Sequence, residues 1–275
     1  MNRRFAALIA GFVIVAATAR ANDIVIPNNA PTTAGSGSYS TLLNAQPRSY
    51  QLVVGPQELT GMPAGSRITG ITWRRPSWQV FADWPGAGFT CTFGNYDISL
   101  SSSLNPPGSL STTYTDNIGP DVVLTRSGSI AYSGAFFPGG ALTPNVNPFG
   151  AVVPFVTPYV YHGGNLLLTV RHSGNNCGGN GNLDTVRSPF TQAIGVSSYT
   201  QPDNWYAQGL IVMKLVYTLP CPSDINASGS VNIDDLLAVI NNWGATGSNP
   251  ADVNHDNVVN IDDLLAVIGA WGPCP

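Results

Sequence analysis

The sequence predicts a mainly β protein, a jelly-roll-like β-sandwich over residues 22–218 followed by a small helical module over residues 219–275. Two observations carry this. Residues 22–218 hold short runs rich in Val, Ile, Thr and aromatic side chains between Gly, Pro and Asn turn signals, with no sustained helical period. Residues 224–244 are then written again as residues 252–272, at an offset of 252 − 224 = 28.

The strand-forming runs are 49–54, 67–74, 89–100, 122–125, 129–133, 165–172 and 210–219. Alternation is plain in Ile68-Thr-Gly-Ile-Thr-Trp and in Tyr96-Asp-Ile-Ser-Leu, the period of a half-buried strand. Regular strand spacing over such a length is the pattern of a sandwich. The stretch Tyr159-Val-Tyr-His-Gly-Gly-Asn-Leu-Leu-Leu-Thr-Val-Arg resembles secreted bacterial β-sandwiches of unassigned function.

Residues 1–21 read as a secretory signal: Arg3 and Arg4, an uncharged apolar stretch over 5–17, then the small-x-small site Ala19-Arg20-Ala21. Cleavage is expected after Ala21, which places the mature chain outside the cell or on its surface. The apolar run is short of the roughly 20 residues a membrane span needs. Charged residues make up only 9% of the chain. Between residues 22 and 220 eight Arg and Lys balance eight Asp and Glu, which excludes the basic face a nucleic-acid binder requires.

Each repeat opens on oxygen donors at positions 1, 3, 5, 7, 9 and 12, the spacing of a calcium loop with its sharp turn at position 6. In the first copy these are Asp224, Asn226, Ser228, Ser230 (backbone carbonyl), Asn232 and Asp235, with Gly229 at the turn. In the second they are Asp252, Asn254, Asp256, Val258 (backbone carbonyl), Asn260 and Asp263, with Asn257 at the turn. Asn tolerates the left-handed backbone better than any other non-glycine residue. Zinc would favour sulfur or imidazole, and the ligand positions offer neither; His255 falls between them, as a solvent-exposed side chain. From residue 221 onward there are seven Asp and no Lys or Arg, a charge distribution that asks for bound cations. Two calcium ions are expected.

One helix follows each loop. Ile233, Leu236, Leu237, Ile240 and Trp243, and again Ile261, Leu264, Leu265, Ile268 and Trp271, recur at helical spacing. Leu219-Pro-Cys-Pro222 cannot form an entering helix before the first loop. A pair of such loop–helix (F-hand) units without entering helices resembles a type I dockerin over residues 221–275. That resemblance implies non-catalytic docking to a cohesin-like protein domain, in either of two orientations, with Asp234, Asn241 and Asp262 among the contact positions. Ile233 and Ile261 depart from it, since dockerins often carry small polar residues there. Four cysteines in an exported chain allow three disulfide connectivities. Cys221 with Cys274 is favoured because they bracket the repeats in matching Cys-Pro contexts, which leaves Cys91 with Cys177.

Dockerins are commonly attached to glycoside hydrolases, so a polysaccharide-degrading activity is the runner-up. Such hydrolysis usually needs two carboxylates roughly 5–9.5 Å apart. The sandwich owns one glutamate, Glu58, in a turn-rich stretch that reads as surface, and most of its aspartates sit in turn contexts. It holds no Gly-x-Ser-x-Gly or His-Glu-x-x-His motif, so no catalytic residue is assigned and the chain is expected not to be an enzyme. A third class, glycan binding, would use Trp73, Trp78 and Trp84 as stacking faces, with Trp205-Tyr206 as a weaker pair. Core filling is the competing reading of those aromatics.

Overall fold

The computed structural model describes residues 21–200, 206–207, 210–226 and 228–274. The signal-like stretch before Ala21 and Trp205 lie outside the described residues. Two compact units are present, and the division falls between Pro220 and Cys221.

The described residues of the first unit form fourteen strands. Its N-terminal part holds β1 (Asn22–Ile26), β2 (Gly37–Tyr39), β3 (Arg48–Val54), β4 (Arg67–Trp73) and β5 (Thr90–Phe93). Next come β6 (Tyr96–Ser102), β7 (Val123–Arg126), β8 (Ile130–Ser133), β9 (Val153–Val160) and β10 (Leu166–His172). The last are β11 (Leu183–Thr185), β12 (Thr191–Val196), β13 (Tyr206–Ala207) and β14 (Met213–Thr218). One antiparallel sheet runs in the order β1-β14-β4-β9 and a second runs β13-β12-β3-β10-β6-β7.

Alternation decides what lies between the sheets. Val170 pairs with Tyr50 and Ile98, and Leu168 pairs with Leu52 and Leu100, so these side chains line up on one face. They share a core with Ile68, Ile71 and Trp73 of β4 and Met213 and Leu215 of β14. Each such fully buried aliphatic side chain contributes roughly 1.5–3 kcal/mol. The outer face of the larger sheet is covered as well: Gln51 donates to the Tyr114 carbonyl and accepts from Asn117.

The structure revises the predicted strands. The 89–100 run is two strands in different sheets, because Gly94-Asn95 turns the chain: β5 pairs with β8, while β6 pairs with β10 and β7. Strand β9 is hidden in the sequence by Pro154 and Pro158, which an edge position tolerates. Strands β1, β2, β11, β12 and β13 are too short or too polar to stand out by pattern. Cys91 on β5 is bonded to Cys177.

His172, at the end of β10, is fully buried between the rings of Tyr96 and Phe93. Its Nδ1 accepts from the Gly174 amide, so Nε2 carries the proton and donates to the Thr41 carbonyl at 2.7 Å. Burial lowers its pKa from 6.5 to about 4, and the nearby charge of Arg48 acts in the same direction; only the bond to Thr41 opposes. The unfolded chain therefore takes up a proton that the folded one refuses. This contribution is complete above the unfolded value and is lost as pH falls from 6.5 towards 4, by about 3 kcal/mol. Urea unfolding of the wild type and of His172→Gln between pH 7 and 4 checks this: the difference between the two should shrink by about that amount.

Candidate metal centre

The second unit holds β15 (Ser230–Val231), α1 (Ile233–Asn241), α2 (Ile261–Gly269) and β16 (Gly272–Pro273). Both helices start from the same device. Asn232 and Asn260 are the N-caps and accept from the amides of Asp234 and Asp262 at 2.7 and 2.6 Å. Asp235 and Asp263 reach back to the amides of Asn232 and Asn260 at 2.9 and 2.8 Å, which completes a capping box at each start.

The same residues belong to two hydrogen-bonded loops. In the first loop Asp224 accepts from the amides of Ser228 and Gly229, and the Asn226 side chain accepts from the Ser228 amide. Asp235 accepts from the Asn226 amide, and the Ser228 hydroxyl donates to the Ser230 carbonyl. In the second loop Asp252 accepts from Asp256 and Asn257, and Asp263 from Val253 and Asn254. Asn254 and Asn260 both donate to Asp256, and Asn260 also reaches the Val258 carbonyl. Position 6 is left-handed in both, Gly229 at φ 87° and Asn257 at φ 72°. Hydrogen bonds thus link the six sequence-assigned positions within each loop. Asn232 and Asn260 have their oxygens engaged in the helix caps, which suits a ninth position that acts through water.

The donor set fits calcium on charge as well as on type. Asp235 and Asp263 are both 0% exposed and Asp252 is 4% exposed, and residues 221–275 contain no Lys or Arg to offset them. Buried carboxylates ordinarily need a compensating cation. His255 is exposed, with its Nδ1 2.9 Å from the Asp252 carbonyl. Cys221, Cys274 and Asp224 also cluster, but both sulfurs are joined in a disulfide and cannot act as thiolate ligands.

Helical period alone does not say which apolar residues turn inward. The core is made by Val231, Val239, Val253, Val259, Val267 and Ala251, with Leu236 and Leu264 half-buried against it. Ile233, Leu237, Ile240 and Trp243 are instead about half exposed, as are Ile261, Leu265, Ile268 and Trp271. Two equivalent apolar stripes therefore face outward. Asp234, Asn241 and Asp262 are exposed on the same helices.

The other candidates disperse. Trp73 is 0% exposed and Trp84 8%, packed around Phe137 in the sandwich core, so no platform of three tryptophans exists. Trp78 alone is exposed, edge-on to Phe81. Arg74 and Arg75 beside them in sequence are buried too. Glu58 corrects its surface reading: it is buried, accepting from the Asn28 amide and from the Ser188 hydroxyl. Asp184, also buried, is paired with Arg74. Ser188 lines a cleft of about 560 Å³ with Tyr39, Thr185, Arg187 and Gln192. Sequence reading missed this cleft because its walls are β2, β11 and β12, strands without a pattern.

Two metal-loop–helix units at a fixed offset define a paired F-hand module. Residues 222–271 match the family model of the dockerin type I domain, and this segment is a type I dockerin domain. No curated protein and no solved structure matches the chain. Dockerin domains bind calcium, the ion the donor set fits. No helix among the described residues is long and apolar enough to cross a membrane.

Proposed function

We propose that this protein is an exported, non-catalytic docking component that is held by a cohesin-like protein domain through two calcium-ordered helices. The observation that carries this reading is the pair of outward apolar stripes, Ile233-Leu237-Ile240-Trp243 and Ile261-Leu265-Ile268-Trp271. Exposed apolar surface on so small a unit is costly unless a partner covers it. One calcium in each loop would be held by the six donors named above and would supply the positive charge the carboxylates lack. Asp234 and Asp262 at the rims suit a partner with an apolar centre and basic edges. Export fits the two disulfides, and a cut after Ala21 leaves every described strand whole, since β1 begins at Asn22.

The test is binding of the full chain to a panel of cohesin domains, in calcium and then in chelator. Equivalent stripes predict two usable orientations. Leu237→Glu or Leu265→Glu alone should cost only a few-fold in affinity, and the double variant about a hundredfold or more. Binding that ignores chelator, or that survives the double variant, would sink the reading.

A saccharide-binding sandwich is a second reading, favoured by the Tyr39–Arg187 cleft and not by the tryptophans. Its described lining carries a ring, a guanidinium, hydroxyls and an amide, but no carboxylate, which supports binding over hydrolysis. Retardation of the chain in gels containing polysaccharide, lost in Tyr39→Ala, is the expected result.

A further inference from the structure

The two calcium loops are built alike but are not tied down alike. After α1 the chain returns along the second loop: Gly244 donates to the Val259 carbonyl, Val259 to Ala245, and Gly247 to Asn257. After α2 it returns along the first loop, as β16 against β15, with Cys274 donating to the Gly229 carbonyl at 3.0 Å. The entries match as well. Asp224 donates to Cys221 and Asp252 donates to Asn249, both at 3.0 Å.

The 28-residue offset places Cys221 on Asn249, and strand register places Cys274 on Gly247, because Pro273 pairs with Ser230 as Thr246 bridges Val258. In the second loop, Gly247 and Asn249 are joined by the short chain Gly247-Ser-Asn249. In the first, the equivalent residues lie 53 apart in sequence, and the disulfide is the direct link between them. It supplies across the first loop the connection that the backbone supplies across the second.

What it clamps is the part that would hold the ion. Cys221 fixes the Asp224 amide, and Cys274 fixes the Gly229 carbonyl. Ser230, whose carbonyl is the position-7 donor, pairs with Pro273, and the Cys274 sulfur lies 3.5 Å from a carboxylate oxygen of Asp224. A two-residue ribbon without such a link is marginal by itself.

We propose that the Cys221–Cys274 disulfide is a positioning element of the first calcium loop, so that calcium affinity there, and not in the second loop, depends on the cross-link. The inference rests on the calcium reading above. Loss of the link lowers the fraction of chains whose first loop is ready to bind, and the apparent dissociation constant rises in proportion.

The experiment is calcium titration of the full chain in two backgrounds, Asp263→Ala leaving the first loop and Asp235→Ala leaving the second. Adding Cys221→Ser with Cys274→Ser should weaken the first loop about tenfold and leave the second within about twofold. Cys91→Ser with Cys177→Ser, which removes the other disulfide, should change neither. Hydrogen exchange with both sets of ligands intact gives a second readout. In calcium-saturated Cys221→Ser/Cys274→Ser the Ser228 and Gly229 amides should exchange faster than those of Asp256 and Asn257. Equal weakening of both loops, equal exchange, or no change in either overturns the inference. A parent protein that takes up no calcium overturns the calcium reading itself, and this inference with it.

Discussion

Arg74→Met is expected to destabilise the sandwich by roughly 3–5 kcal/mol, the cost of leaving a buried charge without its partner. Arg74 is 0% exposed. Its Nε and Nη2 donate to the same Asp184 oxygen at 2.9 and 2.7 Å. Its remaining reach is spent on the carbonyls of Ala30 and Thr33, each at 2.7 Å. One guanidinium therefore ties the segment after β1 to β11, and its own carbonyl accepts from the Asp184 amide. Met fills much of the volume but strands the Asp184 carboxylate, whose second oxygen already has no hydrogen-bond partner. Arg74→Lys keeps the charge and loses the fork, so its cost should be smaller. Asp184→Leu added to Arg74→Met should recover much of the loss, because an apolar pair avoids the desolvation of both ions. Urea unfolding of the wild type, Arg74→Met, Asp184→Leu and the double variant measures this as a cycle, and a loss below about 1 kcal/mol in Arg74→Met would show that the pair is neutral to stability.

Chelation is expected to act on the other unit. Calcium present at about a thousand times its dissociation constant stabilises by roughly 4 kcal/mol, and removing it withdraws that from the dockerin transition alone. Asp263→Ala goes further. It removes a metal ligand and also strands the amides of Val253, Asn254 and Asn260, which now donate to that carboxylate. Each buried amide left unpaired costs roughly 1–3 kcal/mol, with or without metal. Asp235→Ala should behave alike through Asn226 and Asn232. Thermal unfolding followed by far-UV circular dichroism should show the helical transition falling with chelator and falling again in either variant. Transitions that ignore both chelator and substitution would remove the loops from the list of metal sites.

The two loops were legible because every assigned position lies within twelve residues, and because each carboxylate at position 12 answers a cap three residues earlier. Hydrogen bonds of that range are written in the order of the residues. The same holds for the alternation of β4 and β6. The single run 89–100 failed at Gly94-Asn95, because strand-forming residues continue on both sides of the turn that separates β5 from β6.

What the sequence by itself determined is therefore local: the two Asp- and Asn-rich loops, the helix starts and the existence of a sandwich. Only the tertiary structure decided what is buried. Glu58 reads as a turn residue until Ser188, 130 residues later, closes over it. Nothing local in the sequence pairs Arg74 with Asp184, 110 residues away. Trp73 and Trp84 read as either core or a sugar platform, and their packing on Phe137 decides for the core. The helices state the point most plainly. Their apolar residues are numerous enough to line two faces, and the 3.6-residue period is blind to which of them is inward. The small valines at 231, 239, 259 and 267 fill the narrow space between the paired units, and the larger Ile, Leu and Trp side chains are left outside, where a partner can reach them.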